Sequence, residues 1–241
     1  ALPASPHSIH FIASVIFLNL SIMKLSPILF AVLGTIPLFS SAMAATWTGA
    51  SSGSWVTAGN WTGTAPDNVT AQAIVFDASS TANLTQTLNA SYTVTGISVT
   101  SPTGAVTVNT GTGTNVLTIG ASGIDLSAAT QNLTISGSNV TIGADQNWNV
   151  QTGRTLNIGS SSGTITLTNK LTKTGAGTFV LGGTAATILT GAGVLEINGG
   201  VFNNNMQLNS ASTGRTGATT LTSGTLSIST SISMFGTGAL N

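Results

Sequence analysis

The stretch "LTKTGAGTFVLGG", residues 171–183, contains the unit from which the fold is predicted. A glycine-rich segment is followed by a short run in which apolar residues alternate with other side chains. Glycine adopts the backbone conformations of tight turns at low cost, so we assign Gly175 and Gly177 to a turn. Alternate side chains of a strand point to opposite sides, and Phe179 and Leu181 are therefore expected to fill an interior.

Strand-like runs of this kind recur through the chain at intervals of about 7 to 16 residues, separated by Gly, Asn and Ser. Thr178 and Val180 are expected to face outward, and Lys173 is interpreted as a solvated position of the repeat. No apolar stripe at helical spacing follows residue 44, which predicts an all-β protein. Further inward pairs are expected at Ile165 and Leu167, Leu195 and Ile197, and Leu226 and Ile228.

A parallel β-solenoid explains both the repetition and the scarcity of charge. One short strand cannot bury its apolar side alone, whereas stacked coils give each strand two hydrogen-bonding neighbours and a continuous core. Equivalent side chains in successive coils lie about 4.8 Å apart, so a charge would face its own kind, while Thr, Ser and Asn stack without that cost. An antiparallel sandwich or barrel is the competing architecture, and the unequal spacings and "TGAG" echoes at 174 and 190 favour the solenoid.

The composition excludes several functional classes. Five basic and five acidic residues leave no charged field for nucleic acid or anionic lipid, so nucleic-acid binding is not expected. The chain has no cysteine, and its histidines are His7 and His10, so we predict no metal site and no cofactor. The charged residues are Lys24, Arg154, Lys170, Lys173, Arg215, Asp67, Asp77, Asp125, Asp145 and Glu196.

The N-terminal region differs from the rest of the chain. Residues 23–44, "MKLSPILFAVLGTIPLFSSAMA", have the cationic start, apolar centre and small-x-small end of a secretory signal peptide, with cleavage after Ala44. A membrane-spanning helix is the alternative, but Pro27 and Pro37 interrupt it. Residues 1–22 are interpreted as an upstream extension from a misplaced start site. The mature part is then not expected to span a membrane.

Residues 45–69 are predicted to form an N-terminal cap ahead of a β-helix region at 70–241. This segment contains Trp47, Trp55 and Trp61, whose large apolar areas suit the covering of a first coil. The alternative is that these indoles stack on sugar rings as a ligand-binding site. The other end of the chain stops within repeat-like text, so we expect a further C-terminal region, such as a translocator or an anchor.

The opening stretch resembles the autotransporter-associated β-strand repeat, in which a "LTKTGAGTLxLSG" segment precedes a "GGTTVxxGTLxV" segment. The second part resembles "GATTLTSGTLSIS" at 217–229. The segment 184–216 separates the two parts here, where the family usually has a short link, as if a coil had been inserted. The motif positions are Leu171, Thr172, Lys173, Thr174, Gly175, Gly177, Phe179, Leu181, Gly224, Thr225, Leu226 and Ile228.

The resemblance implies a right-handed parallel β-helix that is exported and displayed on, or released from, a bacterial cell. It implies no reaction. We therefore expect a non-catalytic secreted or outer-membrane-associated passenger, acting as a stalk or adhesin on an extracellular glycan or a host or neighbouring surface. Many weak polar contacts along a repetitive face would supply its avidity.

A carbohydrate-active or carbohydrate-binding β-helix that acts on extracellular polysaccharide is the alternative function. A polysaccharide lyase or hydrolase needs clustered carboxylates, or basic groups that stabilise an anion. Asp125 and Asp145 are the candidates, because their spacing in the sequence would stack them if it equalled one coil, with Arg154 and Lys173 one coil further along. The competing interpretation is that each is an isolated turn residue, a position that Asp favours.

Sequencing the N-terminus of the exported protein tests the assignment of the signal peptide. The expected mature N-terminus is Ala45. A mature chain that begins upstream of Lys24 would contradict it.

Overall fold

The computed structural model describes residues 44–111, 113–137, 139–159, 163–182, 188–204, 214–228 and 237–241. The predicted upstream extension, and the predicted signal peptide apart from Ala44, lie outside these residues. Within the described ranges the chain is all-β, with one short 3₁₀ turn at Ala58–Asn60 and no helix long and apolar enough to cross a membrane.

The strands form a single hydrogen-bonded sheet, and all pairings but one are parallel among the described strands. Short alternating runs bounded by Gly, Asn and Ser produce them, as the sequence predicts. In chain order they are β1 (Ala45–Trp47), β2 (Trp61–Thr62), β3 (Gln72–Phe76), β4 (Thr85–Thr87), β5 (Tyr92–Val99), β6 (Val106–Asn109), β7 (Val116–Leu126), β8 (Leu133–Ser136), β9 (Asn139–Ile142), β10 (Gln146–Val150), β11 (Thr155–Ile158), β12 (Thr164–Leu167), β13 (Leu171–Thr174), β14 (Thr178–Leu181), β15 (Ile188–Thr190), β16 (Leu195–Asn204) and β17 (Thr219–Ile228).

The strands stack in about six coils, and each coil contributes to three faces. Face 1 consists of β1, β3, the second halves of β5 and β7, β10, β13 and the first halves of β16 and β17. Face 2 consists of β4, β6, β8, β11, β14 and the second halves of β16 and β17. Face 3 consists of the first halves of β5 and β7, with β9, β12 and β15. The expected parallel β-solenoid is confirmed.

The register fixes the length of a coil. On face 1, Ile74 pairs with Ile97 and Ile97 with Ile124, so each of these intervals is one complete coil. These residues belong to one inward file, by which we mean a column of equivalent residues in successive coils. The file continues through Trp148, Lys173 and Ile197. In the neighbouring outward file, a hydrogen bond joins the side chains of Thr172 and Glu196, which pair across one coil and have a sequence separation of 24. The strand-to-strand spacing seen in the sequence is therefore about a third of the true repeat.

Alternate residues of each strand fill one apolar core. The expected inward pairs of β12, β14 and β16 are all 3% exposed or less, which confirms them: Ile165 and Leu167, Phe179 and Leu181, Leu195 and Ile197. Thr178 and Val180 face outward and are half-buried. Leu226 and Ile228 are also half-buried rather than fully buried, because β17 is the outermost described strand on face 2 and a neighbouring coil covers it on one side.

The "TGAG" echoes occupy different corners of the coil. Gly175 and Gly177 turn the chain from face 1 to face 2, between β13 and β14, whereas Gly191 and Gly193 turn it from face 3 to face 1, between β15 and β16. The two copies are therefore not stacked on each other. The repeated "TGAG" sequence therefore marks two turns, and the distance between its copies is not the length of a coil.

Glycine is required at these corners because the coils approach closely there. Gly175 has a φ of +74°, and a Cβ at this position would lie 2.3 Å from the carbonyl oxygen of Val150 in the preceding coil. One coil later, a Cβ on Gly200 would lie 2.3 Å from the carbonyl oxygen of Gly177. A side chain at either corner would push neighbouring coils apart and weaken the hydrogen bonds between them.

Replacement of Gly175 by Ala is expected to destabilise the fold more than replacement of Gly153, which lies between β10 and β11. Both residues have a φ of +74°, but a Cβ on Gly153 meets nothing within 4 Å. Gly153→Ala should cost about 1 to 2 kcal/mol from the left-handed backbone alone, and Gly175→Ala about 1 to 3 kcal/mol more from the clash. Urea unfolding of the two variants measures the difference, and equal losses would show that the corner relaxes freely.

Candidate functional site

The three tryptophans proposed as sugar-stacking residues lie inside the first coil. Trp47 and Trp55 are fully buried and Trp61 is 7% exposed. Trp61 packs edge-on against both of the others, with ring centroids 4.9 Å from Trp47 and 5.3 Å from Trp55. Their indole nitrogens donate to protein acceptors, for example Nε1 of Trp55 to Oε1 of Gln86 at 2.9 Å. These indoles are core residues and do not form a surface platform, which corrects the sugar-stacking interpretation.

The same segment covers one end of the stack. On face 1, β1 pairs in parallel with β3 on one side and antiparallel with β2 on the other, through Thr46–Thr62 and Trp47–Trp61. An antiparallel strand interrupts the parallel stacking and pairs an edge that would otherwise offer free backbone groups. This pairing covers one edge of β1. The bounds 45–69 of the cap stay a prediction.

Lys173 is buried inside the solenoid, where the sequence interpretation placed a solvated residue. Its side chain is fully inaccessible, and it occupies the inward file of face 1 between Trp148 and Ile197. The correction has a simple cause, since strict alternation along β13 puts Lys173 on the same side as the buried Leu171. A lysine in this position needs polar partners, because an isolated buried charge is costly.

Backbone carbonyls supply those partners. Nζ of Lys173 donates to the carbonyl oxygens of Thr174 at 3.1 Å, Gly175 at 2.6 Å, Gly177 at 2.9 Å and, in the next coil, Gly199 at 2.8 Å. We call these four oxygens the carbonyl cage. Burial lowers the pKa of Lys173 to about 8. The ammonium thus ties the face 1 to face 2 corner of one coil to the same corner of the next.

Arg215 is a second buried cation with backbone partners. It is fully inaccessible and lies beside Gly191 on the face 3 side of the last described coils. Its guanidinium donates to the carbonyl oxygens of Gly217 and Ala218, the latter at 3.0 Å, while its Nε has no hydrogen-bond partner among the described residues. Burial lowers the pKa of this group as well. Both interior cations are therefore bound to backbone at corners of the coil.

The exterior charges of the described residues lie on face 1, at its corners, or at Asp67 in the loop between β2 and β3. Lys170 forms an ion pair with Glu196, with 2.5 Å between Nζ and Oε2, and its backbone nitrogen donates to Oδ1 of Asp145 at 2.8 Å. The hydrogen bond from Lys170 holds the pKa of Glu196 below its ordinary value. Arg154, at the next corner, donates to the carbonyl oxygen of Thr130 at 2.6 Å. Faces 2 and 3 contain no outward charged residue among the described strands.

Asp125 and Asp145 are not stacked. In the register of β7 and β10, Asp125 lies beside Asn149, whereas Asp145 precedes β10 and lies level with Lys170 of the following coil. The expectation is wrong because the coil that starts at Asp125 is completed only at Asn149, further along the chain than Asp145. In the same register Lys173 faces the interior from face 1, and Arg154 lies at the corner between β10 and β11. The four candidate groups are therefore not brought to one groove.

Asp125 does line a shallow depression on face 1. The depression has a volume of about 220 Å³, and Asp125 lines it together with Ser98, Ser122, Ala73 and Gly96. Oδ1 of Asp125 accepts a hydrogen bond at 2.8 Å from the backbone nitrogen of Ser127, which is the turn role expected of an isolated Asp. The depression offers one carboxylate and two hydroxyls, a set that can hydrogen-bond a sugar.

Faces 2 and 3 present files of uncharged side chains that are mainly polar, although the face 2 file also includes Val180. On face 2 the outward file runs through Thr107, Thr134 and Asn157, each half-buried. On face 3 the file is made entirely of threonine over five successive coils. Its members are Thr93, Thr118, Thr141, Thr166 and Thr190. The sequence signal for this file is an apolar-Thr pair that recurs once per coil, and it becomes visible only when the coil length is known.

No protein-family model, curated protein or solved structure matches this chain. The described residues define a parallel β-solenoid with one antiparallel strand pair, buried cations at two corners and no outward charge on the strands of faces 2 and 3. The described parts of the two segments that carry the autotransporter-repeat resemblance, 171–182 and 217–228, lie on the same two faces through β13–β14 and β17, with β16 between them.

Lys173→Met is expected to lower the free energy of unfolding by about 2 kcal/mol or more, because the four oxygens of the carbonyl cage lose a charged donor. The control is Lys170→Met, directly before β13, whose solvent-accessible pair with Glu196 should contribute less than about 1 kcal/mol. Urea unfolding at neutral pH measures both. Equal stability of the Lys173→Met variant and the wild type would show that the cage needs no cation.

Proposed function

We propose that the chain is a non-catalytic, exported surface protein that works as a stalk or adhesin-like passenger. Its long faces of threonine, serine and asparagine would hold a partner through many weak polar contacts, for which avidity replaces a single strong site. The partner class is an extracellular glycan or another cell surface, which offers repeated hydroxyl and amide groups to such a face.

The observation that carries this proposal is the distribution of charge. Lys173 and Arg215 are bound to backbone carbonyls in the interior. Asp125 and Asp145 lie apart in the register. The outward files of faces 2 and 3 carry no charge over successive coils and consist mainly of polar residues, with Val180 and Val116 as apolar members. This arrangement supports repetitive contact better than it supports acid–base chemistry at one point.

Export is part of the proposal and rests on the predicted signal peptide at 23–44. The resemblance of 171–183 and 217–229 to autotransporter repeats points in the same direction. Display on the cell as a passenger is inferred from that resemblance.

The alternative is a carbohydrate-active or carbohydrate-binding protein, and one feature favours it. Asp125, Ser98 and Ser122 line the same depression on face 1. A carboxylate that accepts sugar hydroxyls, with serines beside it, would give a glycan subsite. Hydrolysis by the usual route would need a second carboxylate opposite the first.

Incubation of the full chain with cellulose, chitin, xylan and pectin distinguishes the two functions. We expect no new reducing ends and no unsaturated products with the wild type, and retention on an insoluble glycan or on bacterial cells that is unchanged in Asp125→Asn. Cleavage that disappears in Asp125→Asn would establish the enzyme instead. Retention that disappears in that variant without cleavage would place the glycan in the face 1 depression.

A further inference from the structure

The threonine file of face 3 differs from every other outward file in the described coils, because its residue type does not change. Thr93, Thr118, Thr141, Thr166 and Thr190 pair in register from β5 to β15. Neighbouring strands are about 4.8 Å apart, so five coils repeat the same hydroxyl and methyl group over about 19 Å. Ladder pairing fixes this spacing, which cannot drift along the file.

The file is held rigidly from below. Each threonine follows a fully or almost fully buried apolar residue, and the members beneath the centre are Leu117, Val140 and Ile165, at most 5% exposed. Threonine is branched at Cβ and has few side-chain rotamers, so little conformational freedom remains to be lost on binding. The array is therefore organised before any ligand arrives, which favours tight contact with a ligand that is itself rigid and periodic.

The flanking positions on face 3 are also uncharged. The outward file beside the threonines contains Val116, Asn139 and Thr164. Thr164 and Thr166 are alternate residues of β12, which separates them by about 6.6 Å along the strand. Face 3 thus presents hydroxyls and methyl groups both along the file and along the strand. Its described outward positions contain no charged side chain, which would hold a hydration shell of its own.

We propose that face 3 is an ice-binding surface. The spacing between its coils is close to the repeat of oxygen atoms along the basal plane of hexagonal ice, so water bound to successive threonines takes positions of that lattice. A hydroxyl can donate to or accept from lattice water, and the methyl group fills the space between waters. Each contact is weak, but an extended crystal engages all five coils at once, whereas a single dissolved molecule engages one or two.

This inference goes beyond the proposed function, because it requires neither export nor a partner cell. It also names a different ligand from the glycan considered for the face 1 depression. Faces 2 and 3 of the same coil provide an internal comparison. Thr134 on β8 lies at the middle of a mixed file, between Thr107 and Asn157, and Thr141 on β9 lies at the middle of the threonine file.

The test measures ice recrystallisation and the freezing-point gap between ice growth and melting in solutions of the full chain. The wild type and Thr134→Lys are expected to slow recrystallisation and to open a gap, and Thr141→Lys to lose both effects. Circular dichroism and the melting temperature of each variant establish that it is folded. If Thr141→Lys does not fold, Thr118→Lys places the same charge one coil earlier.

Three outcomes would overturn the inference. The first is a wild type that has no effect on ice. The second is a Thr134→Lys variant that loses activity as fully as Thr141→Lys. The third is a folded Thr141→Lys variant that remains active. Retention on crystalline cellulose or chitin that is lost in Thr141→Lys, together with no effect on ice, would assign face 3 to a glycan surface.

Discussion

The parallel, in-register stacking of coils is the constraint on which the rest of this structure depends. It places every side chain about 4.8 Å from its equivalents in the coils above and below. Outward positions therefore favour uncharged residues that tolerate their own kind, and inward positions favour apolar residues that pack on their own kind. The closest approaches occur at the corners, where glycines such as Gly175 and Gly200 leave room for a carbonyl of the neighbouring coil. Composition, turn residues and charge placement all follow from this one repeat.

Much of the fold can be predicted from the local amino-acid sequence. The period-2 alternation predicts the strands and the inward pairs, and the unequal spacings and "TGAG" echoes favour stacked coils over a sandwich. The coil length cannot be predicted in the same way, because three strands of similar composition make up one coil and the "TGAG" echoes belong to different corners. Without the coil length, the sequence gives a wrong relation between Asp125 and Asp145 and does not reveal the threonine file of face 3.

The candidate site is harder to predict for a related reason. The charge of Lys173 suggests solvent, although the alternation of β13 places it inward, and here the local geometry outweighs the general preference of lysine for the surface. Its burial is tolerated because carbonyl oxygens from two coils surround the ammonium, and this arrangement depends on how the corners stack, not on which residues are adjacent in sequence. The burial of Trp47 and Trp55, in contrast, follows from the need to cover an end of the stack.

The carbonyl cage distinguishes one pairing register of this repetitive chain from the others. Runs of threonine and glycine can pair in several registers at similar energy, and a slip by one residue turns each strand over. A slip of β13 by one residue would carry the Lys173 ammonium to the outside, put Thr172 or Thr174 in its inward position and deprive the oxygens of Gly175 and Gly199 of their charged donor. Because one coil contributes the cation and two coils contribute the acceptors, the cage is complete in a single alignment. The buried lysine thus favours the observed register over shifted ones, because only this register satisfies both the ammonium and the carbonyl oxygens.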